Sequence, residues 1–405
     1  MRLAVTCNGP GETAGWLTPL LHSLYAQRPD AQVYVFFVPD DYATGAEAGY
    51  IRSIFPQATV YDPRAYLKAA LGGRLEGLPE GADVVLYLGG DLMHAARLHK
   101  RFGGALATYK FSRPRIAKET ARAFSVDEKN ERELESWGVP RERITRIGNL
   151  AIDGALAQAA DERAREQTFD TIFMPGSRGH EVEHLVPFFF TAAVRMLREQ
   201  PGLRVAFGIS PFTDLSAIAR AVKAGGDPRV FAQAGALEDA GGTPALVTLD
   251  GSVRIPVVRN AIAAARRSKL AVTIPGTKVI ELAALGTPVL SCTVMNAPEL
   301  ITINGPLTYL DRIPVAGAAL KRAVVLKYAE RFTYHTQPNI DAQQPLIAEL
   351  HGTLTPGRVA RVALEMLADE HALATQAQAL AGLYREHIGA SVRMAAGLLA
   401  LQPAG

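Results

Sequence analysis

Two short runs place glycine, hydroxyl and basic residues directly after apolar, strand-like segments. The first, Met174-Pro175-Gly176-Ser177-Arg178-Gly179-His180-Glu181-Val182-Glu183, follows Thr171–Met174. Gly176 and Gly179 let the backbone approach a ligand closely, a helix starting there presents N–H groups to a phosphate, and Arg178 adds a bidentate guanidinium. The second, Pro275-Gly276-Thr277-Lys278-Val279-Ile280-Glu281, follows Leu270–Ile274. A Gly-Thr pair at a helix start again suits a phosphate. Glu281 lies one helical turn beyond Thr277, on the same face, where it can reach ribose hydroxyls. The plain structural readings stand beside these: a strand-to-helix turn with an exposed arginine, and a capped core helix with a surface glutamate.

Two carboxylates directly after strand-like segments are candidates for a general base. Glu12 sits in the glycine-rich Gly11-Glu12-Thr13-Ala14-Gly15 after Leu3–Cys7, and Asp91 in Gly89-Gly90-Asp91 after Asp83–Leu88. No metal is expected: His180 and His184 have i, i+4 spacing, but neither a third ligand nor a His-Glu-x-x-His run accompanies them. A Gly-x-Ser-x-Gly elbow and a Walker phosphate loop are both missing. Between Arg97 and Arg122 the chain carries eight lysines and arginines against one acid, Glu119. Such a run is ordinarily a solvated face. As a functional element it would be a positive rim for a phosphorylated acceptor or an anionic membrane surface. Aromatic interleaving is thin, and 43 Lys and Arg against 40 Asp and Glu leave +3, so no nucleic-acid partner is expected.

The elements that must position these residues alternate along the chain. Leu3–Cys7, Gln32–Val38 and Asp83–Leu88 read as buried strands, interleaved with helices over Thr13–Gln27 and about Leu92–Phe102. A polar segment, Asp161–Asp170, precedes a second series of strands: Thr171–Met174, Arg204–Ile209, Ala245–Thr248, Leu270–Ile274 and Pro288–Cys292. Near-continuous apolar strands alternating with helices predict parallel sheets covered on both faces, in an α/β fold. At 405 residues, 48% hydrophobic and 20% charged, the chain suits two globular domains. The expected division is 1–160, 161–355 and a helical segment over 356–405 that packs back towards the first domain. Two cysteines, Cys7 and Cys292, make no disulfide framework and suit a reducing cytosol. The longest near-continuous apolar stretch, Leu185–Val194, is short of the roughly 20 residues of a membrane span. Met1-Arg2 leads into a strand-like segment rather than a signal peptide, so a cytoplasmic location is expected.

The two turn motifs together resemble those of nucleotide-sugar glycosyltransferases built from two facing Rossmann-like domains, the GT-B fold. More narrowly, they resemble the lipid-A-disaccharide synthase family, with its Pro-Gly-Ser-Arg-x-x-Glu-[Val/Ile] run and later Ser-Gly-Thr-x-x-x-Glu run. Gly148-Asn149-Leu150-Ala151-Ile152-Asp153 is similar to the family's interdomain Gly-His-Pro-x-x-Asp. Gln337-Pro338-Asn339-Ile340 is similar to its Leu-Pro-Asn-[Ile/Leu] segment, and Gly11–Gly15 to its first loop. The resemblance implies transfer of a GlcNAc-type sugar from a UDP-sugar, with inversion, to an acceptor of lipid type, without a cofactor. Two doubly wound domains facing each other would place the ligand in the cleft between them, and the basic rim would make peripheral contact with the inner face of a membrane. Gly176, Ser177, Arg178, Gly276, Thr277, Glu281 and Asn339 would line the donor, with Arg178 on the diphosphate. Glu12 would lie on the acceptor side.

The departures gather in the amino-terminal half. Trp16 stands where the family has an aspartate, and Lys110-Phe111-Ser112-Arg113-Pro114 replaces an aromatic segment. The family's Asp-x-Pro-Asp-Phe-Asn run is reduced to the neighbourhood of Asp91. In the other half Pro275 replaces a serine and Gln344 an arginine. Two alternatives follow: a UDP-sugar epimerase on the same scaffold, and a nucleotide-sugar-binding protein that has lost catalysis.

Overall fold

The computed structural model describes residues 1–39, 43–73, 75–160, 168–177, 179–240, 242–297 and 332–401. The chain divides into two compact units: Met1–Ala157 with Arg385–Gly405, and Gln158–Tyr384.

In the first unit, seven strands form one parallel sheet: β1 (Arg2–Cys7), β2 (Gln32–Phe37), β3 (Thr59–Tyr61), β4 (Val84–Tyr87), β5 (Ala105–Tyr109), β6 (Thr120–Ser125) and β7 (Ile144–Arg146). Their order is β3-β2-β1-β4-β5-β6-β7. The chain leaves β1 for β2 on one side and returns to β4 on the other, so the strand order reverses between β1 and β4. The carboxyl ends of strands beside such a reversal are where α/β sheets bind ligands. The core lies on both faces: Leu3, Val5, Leu86 and Met394 on one, and Ala4, Phe36, Val85 and Leu98 on the other.

The helical stretch after β1 begins earlier than its apolar periodicity predicts. Pro10–Glu12 forms a first turn, Thr13–Leu17 widens into a π-helix, and Thr18–Gln27 continues as α-helix. Pro10 suits a helix start because its missing N–H has no intrahelical acceptor there. The π segment crosses the helix Leu150–Ala159 closely, since a Cβ at Gly154 would stand 2.9 Å from the Gly15 carbonyl oxygen.

The second unit holds β8 (Phe169–Met174), β9 (Val205–Gly208), β10 (Gly235–Ala240), β11 (Thr243–Thr248), β12 (Arg254–Val258), β13 (Ser268–Thr273), β14 (Val289–Val294) and β15 (Ala348–Gly352). Their order is β10-β11-β12-β9-β8-β13-β14-β15. β11 runs antiparallel to both β10 and β12, and the other described pairs in this sheet are parallel. Here the strand order reverses between β8 and β13. The apolar Leu185–Val194 lies inside the helix Gly179–Glu199, where Phe188, Phe189 and Phe190 are fully buried with Phe173 and Phe207. Among the described residues no helix is long and apolar enough to cross a membrane.

The helices beyond Pro356 divide between the units. Pro356–Ala368 buries Val359, Ala360, Ala363 and Leu364 in the core of the second unit, and Glu370–Leu383 stays with it. Only the last helix, Ala390–Leu399, joins the first unit, through Ala390, Met394, Ala395 and Leu398. Its start is capped from elsewhere. Gly389 has no side chain to cap with, and Asp153 accepts from the Gly389 N–H (2.8 Å), the Ser391 N–H (2.7 Å) and the Ser391 hydroxyl (2.6 Å).

Candidate functional site

In the second unit, both glycine turns stand at the carboxyl ends of adjacent strands. β8 and β13 pair up to Met174↔Thr273, and the Thr273 hydroxyl donates to the Met174 carbonyl at 2.9 Å, tying the strand ends together. The turns meet just beyond: a Cβ at Gly176 would lie 3.0 Å from Ile274 Cδ1. Gly176 has φ +101°, so only glycine enters this turn without strain. Arg178 lies outside the described residues.

Glu181 has a role that sequence reasoning missed. Its buried carboxylate reaches back over the turn and accepts the Ser177 N–H at 2.9 Å. A Cβ at Gly176 would stand 2.2 Å from its Oε2. One of the backbone donors expected for a phosphate is thus held by an internal carboxylate. The signal was in the run itself: a glutamate at the third helical position is a capping residue that bonds back to the preceding turn.

The second turn is more open. Gly276 has φ +153° and ψ −171°, a conformation essentially confined to glycine, and a Cβ added there would meet nothing within 4 Å. Gly276 and Thr277 are exposed at the start of the helix Thr277–Ala284. Glu281 is 1% exposed and pairs with Lys278 Nζ at 2.6 Å. Lys278, unremarked in the sequence, thereby holds the carboxylate expected at a ribose. Asn339 is turned inward as well. Its Nδ2 donates to the Ile347 carbonyl (2.9 Å) and to Glu349 (2.8 Å), and its Oδ1 accepts the Ile347 N–H (2.7 Å). The Glu349 carboxylate also gathers the His335 and Thr336 N–H groups, so this cluster braces the turn into β15.

In the first unit, both candidate carboxylates stand near Tyr87 at the end of β4. Glu12 stands in the first helical turn rather than in a loop, because Pro10 starts the helix before it. A Cβ at Gly89, just after β4, would lie 3.3 Å from Glu12 Cγ and 2.3 Å from Asn8 Oδ1, so glycine lets the two strand ends close up. Asp91 caps the helix Leu92–Phe102, accepting the Met93 N–H at 2.9 Å, and Arg113 approaches its other oxygen at 3.6 Å. Its carboxylate is 49% exposed. Tyr87 registers both acids. Burial first, then the negative charges of Asp91 and Glu12, push its phenol well above the usual range, against the opposing Arg113. The phenol donates to the Gly90 carbonyl at 2.9 Å. Next to it, burial and Arg97 lower the His94 imidazole, whose Nδ1 lies 2.6 Å from the buried Tyr66 hydroxyl.

Trp16 lies in the π segment, edge-on to Tyr109 with centroids 5.3 Å apart, and Lys110 Nζ stands 5.5 Å from its ring centre. In the basic segment, Arg101 is tied to the Ala69 and Gly73 carbonyls and Arg122 to the Thr145 hydroxyl, while Arg97, Lys100, Arg115 and Lys118 are exposed.

Two α/β units with parallel Rossmann-like cores, glycine turns at both strand reversals and a closing carboxyl-terminal helix define a fold of GT-B type. No known protein-family model matches the chain. Over 201 residues it is 29% identical to the lipid-A-disaccharide synthase of Pseudomonas syringae pv. tomato, a match covering 49% of this chain and 40% of that protein's length. Among solved structures it is similar to Staphylococcus aureus MnaA with UDP (TM-score 0.59, 14% identity, 99% of this chain and 98% of that one). It is also similar to the Neisseria meningitidis UDP-GlcNAc 2-epimerase bound to UDP-GlcNAc (0.57, 12%, 99% and 100%). The glycotransferase of kitacinnamycin is a third (0.51, 13%, 99% and 99%). At these identities the structural likenesses establish the fold.

Proposed function

We propose that this protein is a UDP-sugar-dependent glycosyltransferase that moves a GlcNAc-type sugar to a lipid acceptor. The observation that carries the reading is the pair of glycine turns on the adjacent ends of β8 and β13, each opening a helix. Gly176, Ser177, Gly276 and Thr277 line the diphosphate in this reading, and Arg178 and Lys278 supply positive charge as the leaving group becomes negative. Glu281 reaches the ribose once its pairing with Lys278 opens. Asn339 serves by shaping the neighbouring turn. Glu12 is the first candidate for the base and Asp91, which caps the helix Leu92–Phe102, the second. The identity to a lipid-A-disaccharide synthase supports the transferase and the lipid acceptor.

An epimerase acting on a UDP-sugar alone is the second reading, favoured by the likeness to the N. meningitidis 2-epimerase. One assay separates them. UDP released only when an acceptor is added supports transfer. Interconversion of the donor without acceptor supports epimerisation, and tight UDP binding with neither supports a binding protein. The reading also places the protein in the cytoplasm, peripheral to the membrane through the exposed Arg97, Lys100, Arg115 and Lys118. Sedimentation with acidic vesicles at low salt, fading as the Debye length falls to about 8 Å at physiological ionic strength, is the expected result.

A further inference from the structure

We propose that the second unit carries another small-molecule site, apart from its strand-end turns, for an anion borne on a planar ring. The site is an open surface cleft of about 570 Å³ walled by Thr191, Arg195 and Arg198 of the helix Gly179–Glu199, by Phe231 and Gln233, and by Gly357 of the helix Pro356–Ala368. Its volume lies within the roughly 300–1,000 Å³ of small-molecule sites.

The arginines supply the anion contact. Arg195 and Arg198, three apart on one helix, share a face. Arg198 is engaged with Asp250 at 3.3 Å, whereas among the described residues Arg195 has no ion-pair partner. The Arg195 guanidinium lies along Gly357, where a Cβ would come within 3.0 Å of its Nη1. Glycine at that position leaves the charged group lying against the cleft wall.

Phe231 supplies the ring contact. It is 56% exposed and has φ +55°, a left-handed backbone that a bulky side chain adopts only at a cost. Burial of the ring does not offset that cost. An aromatic face held out beside an unpaired guanidinium matches a ligand that stacks a ring and offers two oxygens to arginine. The wall between them is firm: the Gln233 N–H donates to the Thr191 hydroxyl at 2.8 Å, which itself donates to the Pro187 carbonyl at 2.8 Å. Glu199 on the wall and Asp250 beside Arg198 offset the arginines, which favours a small anion over a polyanion.

The test titrates the full chain with 4-fluorophenyl phosphate, followed by fluorine NMR, with inorganic phosphate and 4-fluorophenol as separate arms. The expected result is saturable binding of the intact probe, weaker binding of either fragment, and no displacement by UDP. Arg195→Gln should weaken it about tenfold or more. Phe231→Gly should do so too while leaving the thermal midpoint no lower, because glycine accepts the left-handed backbone. An absence of saturation, an affinity unchanged in both variants, or displacement by UDP would each overturn the site. UDP affinity itself, the measure of the strand-end turns, should be the same in both variants.

Discussion

The two strand-order reversals share a plan and differ in what their glycines and charges do. Between β8 and β13 the turns combine basic residues with carboxylates that are already held: Glu181 accepts the Ser177 N–H, and Glu281 is paired with Lys278. Between β1 and β4, Asp91 caps a helix and meets Arg113, and the Tyr87 phenol feels the charges of both Asp91 and Glu12. Glycine is needed for backbone angle at Gly276, in open space, and for space at Gly89, against Asn8. In the proposed reading, the same architecture has one end that receives a diphosphate and another that accepts a proton.

The most severe way to break that contrast is to remove the proposed proton acceptor. Glu12→Gln keeps the side chain's shape, so turnover should fall by about 10²- to 10⁴-fold with UDP affinity nearly unchanged. Asp91→Asn is the matched comparison, because asparagine caps a helix as well as aspartate and only the charge is lost. Steady-state rates of the two variants decide between them. If both turn over like the parent, neither carboxylate is the base.

Arg178→Ala probes the other end. If Arg178 makes the proposed bidentate, charge-assisted contact, worth roughly 1.5–3 kcal/mol, its loss should weaken UDP binding about 10- to 150-fold, measured by calorimetry. Unchanged affinity in the folded variant would remove the phosphate role of the β8 turn.

The glycines sharpen the comparison at smaller cost. Gly276→Ala forces a side-chain-bearing residue into a conformation costing about 1–3 kcal/mol, and the helix start it distorts is the proposed phosphate contact. UDP affinity and denaturation midpoint should both fall. Gly89→Ala meets Asn8 instead, an overpacking of about 1–3 kcal/mol. Its midpoint should fall with UDP affinity intact. Equal losses of affinity in the two variants would dissolve the division of roles.

Much of this was legible where the residues speak locally. β1, β4, β8 and β13 are largely buried and mostly apolar, and the turns after β4, β8 and β13 carry glycines at positive φ, Gly90, Gly176 and Gly276. β6, Thr-Ala-Arg-Ala-Phe-Ser, escaped because its polar positions mask a strand that the sheet pairs on both sides. The acidic edge strand β10 escaped for a similar reason: Glu238 and Asp239 sit on a ladder with one neighbour. The inward amide of Asn339 depends on where Ile347 and Glu349 arrive, which no local spacing states. The split of the last helices was hidden likewise, since the Asp153 cap on Gly389 and Ser391 spans more than two hundred residues of chain.

Acid provides the mildest test, and it acts on the first unit away from its strand reversal. The Glu131 carboxylate is buried, and hydrogen bonds from Arg146 and then Arg141 hold it down at about 2 against an ordinary 4.5, with burial opposing them. Arg146 lies at the end of β7, so the pair joins that edge strand to the helix Glu128–Ser136. A carboxylate whose folded value is depressed binds protons more readily when unfolded. Its stabilisation is therefore complete above about 4.5 and is lost as the pH falls from there towards about 2. Both arginines are at least half exposed to solvent, which screens the pair and keeps the effect modest. Glu131→Gln should lower the denaturation midpoint at neutral pH and flatten its decline between pH 4.5 and 2, while UDP affinity at neutral pH stays at the parent value. A variant that loses stability equally at pH 7 and pH 3 would show that Glu131 acts through packing, with its charge contributing nothing.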